Sequence, residues 1–328
     1  MKSSKRAALN TQITNAQSTE VVLSLVADNL QMLNGVNVAT AWHNVARLTK
    51  FKRAERDALL RDPRYLQLLD GTVERVSECN ARAVADILWS CGTLGQLPPT
   101  LLKPLLTQVN ECLEKGTFEP QHLGIMVWAL SVLKCKPTKL LEQIEERALE
   151  QLDGFNTQNC ANILQGFAKL NYPATKLYPT ITNALSNSNL VDACKPVEVA
   201  DLTFAVAMLG EQQPTEPPSL LKRLSGRARA KTDLASFSSR QLVTMVWAYA
   251  KLGLTPEPEL LEEWVGTVRK AHEAKPLLAA DVRNLERALQ ALGEESSWLH
   301  PAAPEEEAEE EESELDKIRK KIDAEANA

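Results

Sequence analysis

Guanidinium, carboxamide and imidazole side chains return at fixed places in similar stretches of this chain. Arg82, Gln121, Gln158 and Arg240 share one place; His122, Asn159, Glu198 and Gln241 share the next; Asp86, Asn162, Asp201 and Asn284 share a third, three residues further on. Such groups hold donors and acceptors in defined geometry, so a regular series of them could hydrogen-bond successive units of a polymer. Lys50, Lys169 and Lys251 recur at a fourth place. They could hold phosphates along one edge, which would position a strand without specifying its sequence. Plainer readings stand beside these: a solvated helix face, capping of helix starts, and scattered surface lysine.

Other chemistries find little support. His43, His122, His272 and His300 have no cysteine or acidic partner at a recognisable spacing, and the six cysteines form no Cys-x-x-Cys pair. With no glycine-rich phosphate loop, nucleophile elbow or HExxH pattern, no catalytic, metal or cofactor site is expected. Cys91 and Cys160 read as small core residues in a reducing compartment.

What must position the candidate residues is a sixteen-residue pattern, clearest from Asn80 to Gly95. Numbered from Asn80, it carries apolar residues at positions 5, 8, 9, 12 and 15, a large residue at 10 and often glycine at 16. That is a helical stripe followed by a stop. Further copies start at Glu119, Asn156, Lys195 and Ser238, with weaker ones at Asn37 and Leu278. The candidates above occupy positions 3, 4, 7 and 14. Trp89, Trp128 and Trp247 fall at position 10 beside Leu88, Val127 and Val246, and packing between repeats is expected of them in preference to base stacking.

Each later unit continues through a proline-bearing turn, as at Pro98, Pro137, Pro173, Pro214 and Pro256, into a second amphipathic helix. Proline cannot resume the ladder, and Gly95, Asn171 or Gly253 can supply a left-handed closing residue. A unit of roughly 40 residues repeated in this way implies stacked helix pairs, so the expected fold is an all-α right-handed solenoid of about seven helix-turn-helix repeats.

Charge is unevenly placed. The net of −6 comes from residues 301–328, with 11 acidic and 4 basic side chains; the first 300 residues hold 33 basic against 32 acidic. A neutral body is unlike a strongly electrostatic nucleic-acid binder. Residues 1–18, polar and basic, are expected to be disordered; 19–300 to form the repeat body; and 301–328, with the run Glu305–Glu312, to form an acidic tail with a possible short helix. No run reaches the roughly 18 apolar residues of a membrane span.

The stretches from Pro98 through Phe118 to Leu130, and from Phe237 through Trp247 to Gly253, with recurring Trp-Ala, Leu-Gly and Pro-Pro elements, closely resemble the octotricopeptide repeat of mitochondrial and chloroplast proteins. The resemblance covers roughly residues 20–295. It implies a non-catalytic scaffold that binds single-stranded RNA in organellar RNA maturation, stability or translation. The alternative it also allows is a structural subunit of an organellar ribosome or other ribonucleoprotein, in contact with ribosomal RNA and ribosomal proteins. Many such proteins carry a C-terminal RAP domain of nuclease-like type, whose place the acidic tail takes here.

Overall fold

The computed structural model describes residues 2–211, 218–229 and 233–300, and among them every regular element is helical. In chain order the helices form pairs: α1 (Lys2–Asn15) with α2 (Thr19–Asp28); α3 (Gly35–Thr49) with α4 (Arg53–Leu59) and α5 (Pro63–Arg75); α6 (Ala81–Leu94) with α7 (Pro99–Glu114); α8 (Pro120–Val132) with α9 (Thr138–Glu150); α10 (Thr157–Lys169) with α11 (Leu177–Ser186); α12 (Pro196–Gly210) with α13 (Pro218–Arg227); α14 (Ser239–Lys251) with α15 (Pro258–Ala274); and α16 (Ala279–Leu292). The patterned helices α3, α6, α8, α10, α12, α14 and α16 pack each on the next, with α1 ahead of α3. Their partners line up behind them, α2 on α5, then α7, α9, α11 and α13. The result is two rows of helices with one apolar core between them.

Local chemistry explains where the patterned helices start and stop. Asn80, Asn156 and Ser238 are N-caps whose side chains accept the N–H three residues on, and Pro120 and Pro196 stand at first helical positions. Gly95, Gly253 and Gly293 close their helices at positive φ; Lys134 and Asn171 do the same without being glycine. The stripe between start and stop is fully buried, as at Ile87, Leu88, Met126, Val127, Ile163 and Leu164. Each such side chain contributes about 1.5–3 kcal/mol of burial, which is what holds an otherwise unclosed array together.

Two expectations are corrected. The N-terminal residues expected to be disordered form helix α1, because Leu9 and Ile13, one turn apart, bury a stripe against α3. The Asn44 amide ties that end down by donating to the Ile13 carbonyl at 2.6 Å, and the Asn37 amide donates to the Arg6 carbonyl and to Asn10 Oδ1. Polar composition hid a two-residue apolar face.

The first copy is also three residues out of register. Asn34, not Asn37, is the N-cap, and the two form a reciprocal capping box. Ala39 then takes position 6, where other copies hold Ala85, Gly124, Ala161 and Ala200, and Trp42 moves to the buried position 9. There its indole N–H donates to the Thr72 hydroxyl of α5 at 2.8 Å. The residue assigned to position 15, Phe51, is 90% exposed and belongs to no stripe. Residues 301–328, and with them the Glu305–Glu312 run, lie outside the described residues, as does Pro214.

Candidate nucleic-acid interface

Each patterned helix buries its stripe toward its partner and its small residues toward its row neighbours. One face remains, at positions 3, 7, 10 and 14, spaced as a single helical face should be. On α6 it carries Arg82, Asp86, Trp89 and Thr93; on α10, Gln158, Asn162, Gln165 and Lys169; on α14, Arg240, Thr244, Trp247 and Lys251. Position 3 is exposed in every copy, at Val36, Arg82, Gln121, Gln158, Val197, Arg240 and Ala280. Because the helices lie side by side, equivalent positions form lines running along the row.

Not every sequence candidate reaches this face. The side chains at position 4 turn back onto the helix start: His122 Nδ1 accepts the Glu119 N–H at 3.1 Å, Asn159 Oδ1 the Asn156 N–H at 3.2 Å and Gln241 Oε1 the Ser238 N–H at 2.8 Å. His122 and Asn159 are only 7% and 6% exposed. The N3 place of a capping box satisfies an orphan donor, and that use takes precedence over outward projection. Lys50, once the register is corrected, is the C-cap of α3; its ammonium lies 5.8 Å from the centre of the Trp89 ring.

The tryptophans pack between repeats, as expected of them, but at the edge of the stripe: Trp89, Trp128 and Trp247 are half-buried against the core and border the open face. Position 10 lies three residues from position 7 and seven from position 3, so a helical wheel places it with the polar candidates even though its sequence neighbours at 8 and 9 are core. Position-10 rings meet across the row, His43 with Trp89 at 4.8 Å and Phe204 with Trp247 at 5.5 Å with their planes 21° apart. His43, Arg47, Phe204 and Arg287 also belong to this face, and none of them stands among the contact candidates named from the sequence.

Two recesses indent it. One, of about 610 Å³, lies along α10, α12, α14 and α16 and is lined by Gln165, Lys169, Asp201, Phe204, Arg240 and Trp247, among others. The other, of about 530 Å³, lies along α1, α3 and α6 and includes Asn10, His43, Arg47, Arg82 and Asp86. In the first, the Gln165 amide donates to Asp201 Oδ1. Burial pushes the Asp201 carboxyl up to about 6, against the opposing pull of Lys169 and Gln165. Burial also raises the Asp86 carboxyl, opposed by His43 and Arg82, and lowers the Lys169 ammonium.

The near-neutral body conceals an asymmetry. Positions 3, 7, 10 and 14 hold Arg47, Arg82, Lys169, Arg240, Lys251 and Arg287 against Asp86 and Asp201, whereas the helices of the partner row together hold 16 acidic against 12 basic side chains. The open face is therefore the electropositive side. Its cations are partly engaged already: Arg82 Nε is 3.9 Å from Asp86, Arg240 Nε 3.7 Å from Asp281 and Lys251 Nζ 2.8 Å from Glu211.

Elsewhere the polar groups are structural. All six cysteines are free, and burial pushes the Cys91 and Cys160 thiols up to about 12, as inert core residues require. Among the described residues no group of three His, Cys, Asp or Glu could hold a metal ion, and no helix is long and apolar enough to cross a membrane.

Comparison with known proteins fits this geometry. The chain is similar to a protein of Oryza sativa subsp. japonica described as "RAP domain-containing protein, chloroplastic", with 22% identity over 275 residues that make up 80% of this chain and 41% of the relative. It thus spans about two-fifths of that relative's length. The family model described as "RNA-editing substrate-binding complex 6 protein" matches residues 66–278, from α5 to the N-cap of α16, and so takes in the open face from Arg82 to Lys251. The chain belongs to the RNA-editing substrate-binding complex 6 protein family.

Proposed function

We propose that this chain is a non-catalytic RNA-binding scaffold of an organelle, plastid or mitochondrion, working with protein partners in RNA maturation. The observation that carries the proposal is the open face itself: amide, guanidinium, ammonium and aromatic side chains at positions 3, 7, 10 and 14 of α6, α10 and α14, on the side of the array where positive charge collects. Cations along such a face hold phosphates, and half-exposed rings offer stacking surfaces of a kind every base accepts.

The two rows are the helix pairs of a right-handed solenoid with about seven repeats of octotricopeptide type, a form in which stacked units present an extended surface. Residues 19–300 are its body, joined at the N-terminus by α1, and 301–328 its acidic tail. Single-stranded RNA crosses the patterned row at on the order of one nucleotide per repeat, as in other helical-repeat readers. Arg82, Gln121, Gln158, Asn162, Lys169, Arg240 and Lys251 are its contacts; His122, Asn159 and Gln241 support the helix starts, and Lys50 stays at the rim beside Trp89. The family's description, which refers to an RNA-editing substrate, and the chloroplastic relative support this reading. A ribosomal role has no such support, since neither description refers to ribosomes.

A salt series of binding to a random single-stranded RNA pool tests the proposal. Counterion release makes log affinity fall linearly with log salt, by about 0.7 per phosphate contacted on a single strand. A slope of several phosphates supports the scaffold. No binding at low salt by the full chain or by residues 1–300 rejects it, and binding by 1–300 alone makes the tail an inhibitor of the same face.

A further inference from the structure

The larger recess has a composition that general strand binding does not call for. A face that only tracks a phosphate backbone needs cations and rings. Here a carboxylate, Asp201, stands at position 7 of α12, where it repels phosphate. Its Oδ1 accepts from the Gln165 amide of α10, a side chain only 8% exposed, so the carboxyl is held in one orientation. No hydrogen bond to Oδ2 is made by the described residues, and the carboxylate keeps further lone-pair sites for a ligand. Lys169 follows on the same helix one turn after Gln165, with its ammonium near enough to interact with Asp201. The Phe204 and Trp247 rings, 5.5 Å apart and nearly parallel, form the apolar part of the lining. Arg240 stands at the rim, 74% exposed.

A carboxylate beside an ammonium selects among bases by the order of donors and acceptors on their edges. The Watson–Crick edge of guanine offers two adjacent donors, the ring N–H and the exocyclic amine, followed by a carbonyl oxygen. Two donors satisfy a carboxylate together, and the carbonyl suits a neighbouring ammonium. Adenine and cytosine place one donor next to a bare ring nitrogen, whose lone pair would oppose the carboxylate. Uracil offers one ring donor between two carbonyls.

Resting on the RNA-binding reading above, we infer that the recess between α10, α12 and α14 is a guanine-selective site, in which the base stacks against Phe204 and Trp247 and places its two donors on Asp201 and its carbonyl by Lys169. Arg240 is left for the adjoining phosphate. The groups facing Asp201 are Lys169 and Gln165 from α10, Arg240 from α14 beyond Lys169, and Glu198 from its own helix. Burial already brings its carboxyl to about 6, so base selection depends on pH: protonation removes the acceptor pair guanine needs.

The test is fluorescence anisotropy of the full chain with a short RNA of alternating adenosine and cytidine, carrying at its centre one guanosine, one inosine or a further adenosine. Inosine keeps the ring donor and the carbonyl and lacks the amine. Guanosine is expected to bind roughly tenfold more tightly than adenosine at about pH 7.5, the size of one bidentate base contact, with inosine between them. That preference is lost in Asp201→Asn and shrinks in the wild type at about pH 5, while binding of the all-adenosine-and-cytidine probe is retained. Phe204→Leu, which keeps an apolar side chain in place, weakens all three probes alike. RNA binding with no guanosine preference, or a preference unchanged in Asp201→Asn, overturns the guanine site and leaves the scaffold standing. Failure of the wild type to bind any probe overturns both.

Discussion

Gly166 of α10 lies so close to Val127 of α8 that a Cβ on it would stand 2.7 Å from Val127 Cγ1 and 2.9 Å from the Val127 backbone carbonyl. Position 11, which Gly166 occupies, is small in neighbouring copies, at Ser90, Ala129, Ala205 and Ala248. The row is spaced by these residues, and its open face keeps register because of them. Gly166→Ala gains about 1 kcal/mol of helix propensity but must displace backbone, and overpacking of that kind costs about 1–3 kcal/mol. We expect net destabilisation, read as a lower midpoint in urea. Gly266→Ala on α15, where a new Cβ meets nothing within 4 Å, should raise the midpoint instead. A Gly166→Ala protein as stable as the Gly266→Ala protein would refute the close crossing.

His122 distinguishes a cap from a ligand contact. Its Nδ1 accepts the Glu119 N–H, and burial lowers its pKa from the ordinary value of 6.5. A histidine with a depressed folded pKa lends stability that is present above the unfolded value, about 6.5, and is lost as pH falls through the folded one. His122→Gln keeps an acceptor at N3 without titrating, as Gln241 does. The variant should retain stability on acidification below about pH 6.5, where the wild type loses it, with RNA affinity at neutral pH unchanged. A several-fold loss of RNA affinity would return His122 to the interface.

The same residue shows what was legible in the sequence and what was not. The helix starts, the stripe and the stops were readable because each is a local rule, and Asn80, Leu88 and Gly95 obey it within one helix. Position 3 was readable because Arg82 and Arg240 lie opposite the stripe. Position 4 was not, because an imidazole or amide at N3 can cap or project, and only the completed turn decides. The tryptophans were legible as packing residues but their half-exposure was not; Trp247 follows Val246 by 100° of helix, which turns one side of its ring toward the open face. The pairing of Phe204 with Trp247 joins residues of different repeats, so no single-helix rule could supply it.

Asp201 should weaken the fold it sits in. Its carboxyl rises from an ordinary 3.8 to about 6 because burial disfavours the charge. A raised carboxyl pKa means that the native state binds the extra proton. The associated stability is therefore full below about pH 4 and lost as pH rises through about 6. At 1.36 kcal/mol per unit, Asp201→Asn should stabilise the protein by about 1–3 kcal/mol at pH 7.5, the gap closing toward pH 4. Urea midpoints of both proteins across that range provide the measurement. A constant gap, or a gap that widens on acidification, would show that the carboxyl is not strained by burial.

Arg82 and Arg240 carry the electrostatic part of the argument. Each guanidinium is more than 70% exposed and lies at the edge of ion-pair distance from one carboxylate, 3.9 Å for Asp86 and 3.7 Å for Asp281. Exposed pairs of this kind contribute about 0–1 kcal/mol, so either arginine can exchange its carboxylate for a phosphate at little loss. Removing one phosphate contact from a single strand reduces the log affinity against log salt slope by about 0.7, so Arg82→Ala with Arg240→Ala should reduce it by about 1.4. Lys103→Ala with Lys115→Ala, on α7 and at its C-cap, removes the same two charges from the partner row and should leave the slope unchanged. Equal effects from the two double substitutions would mean that RNA responds to net charge alone. An unchanged slope for the arginine pair would move the strand away from position 3 altogether.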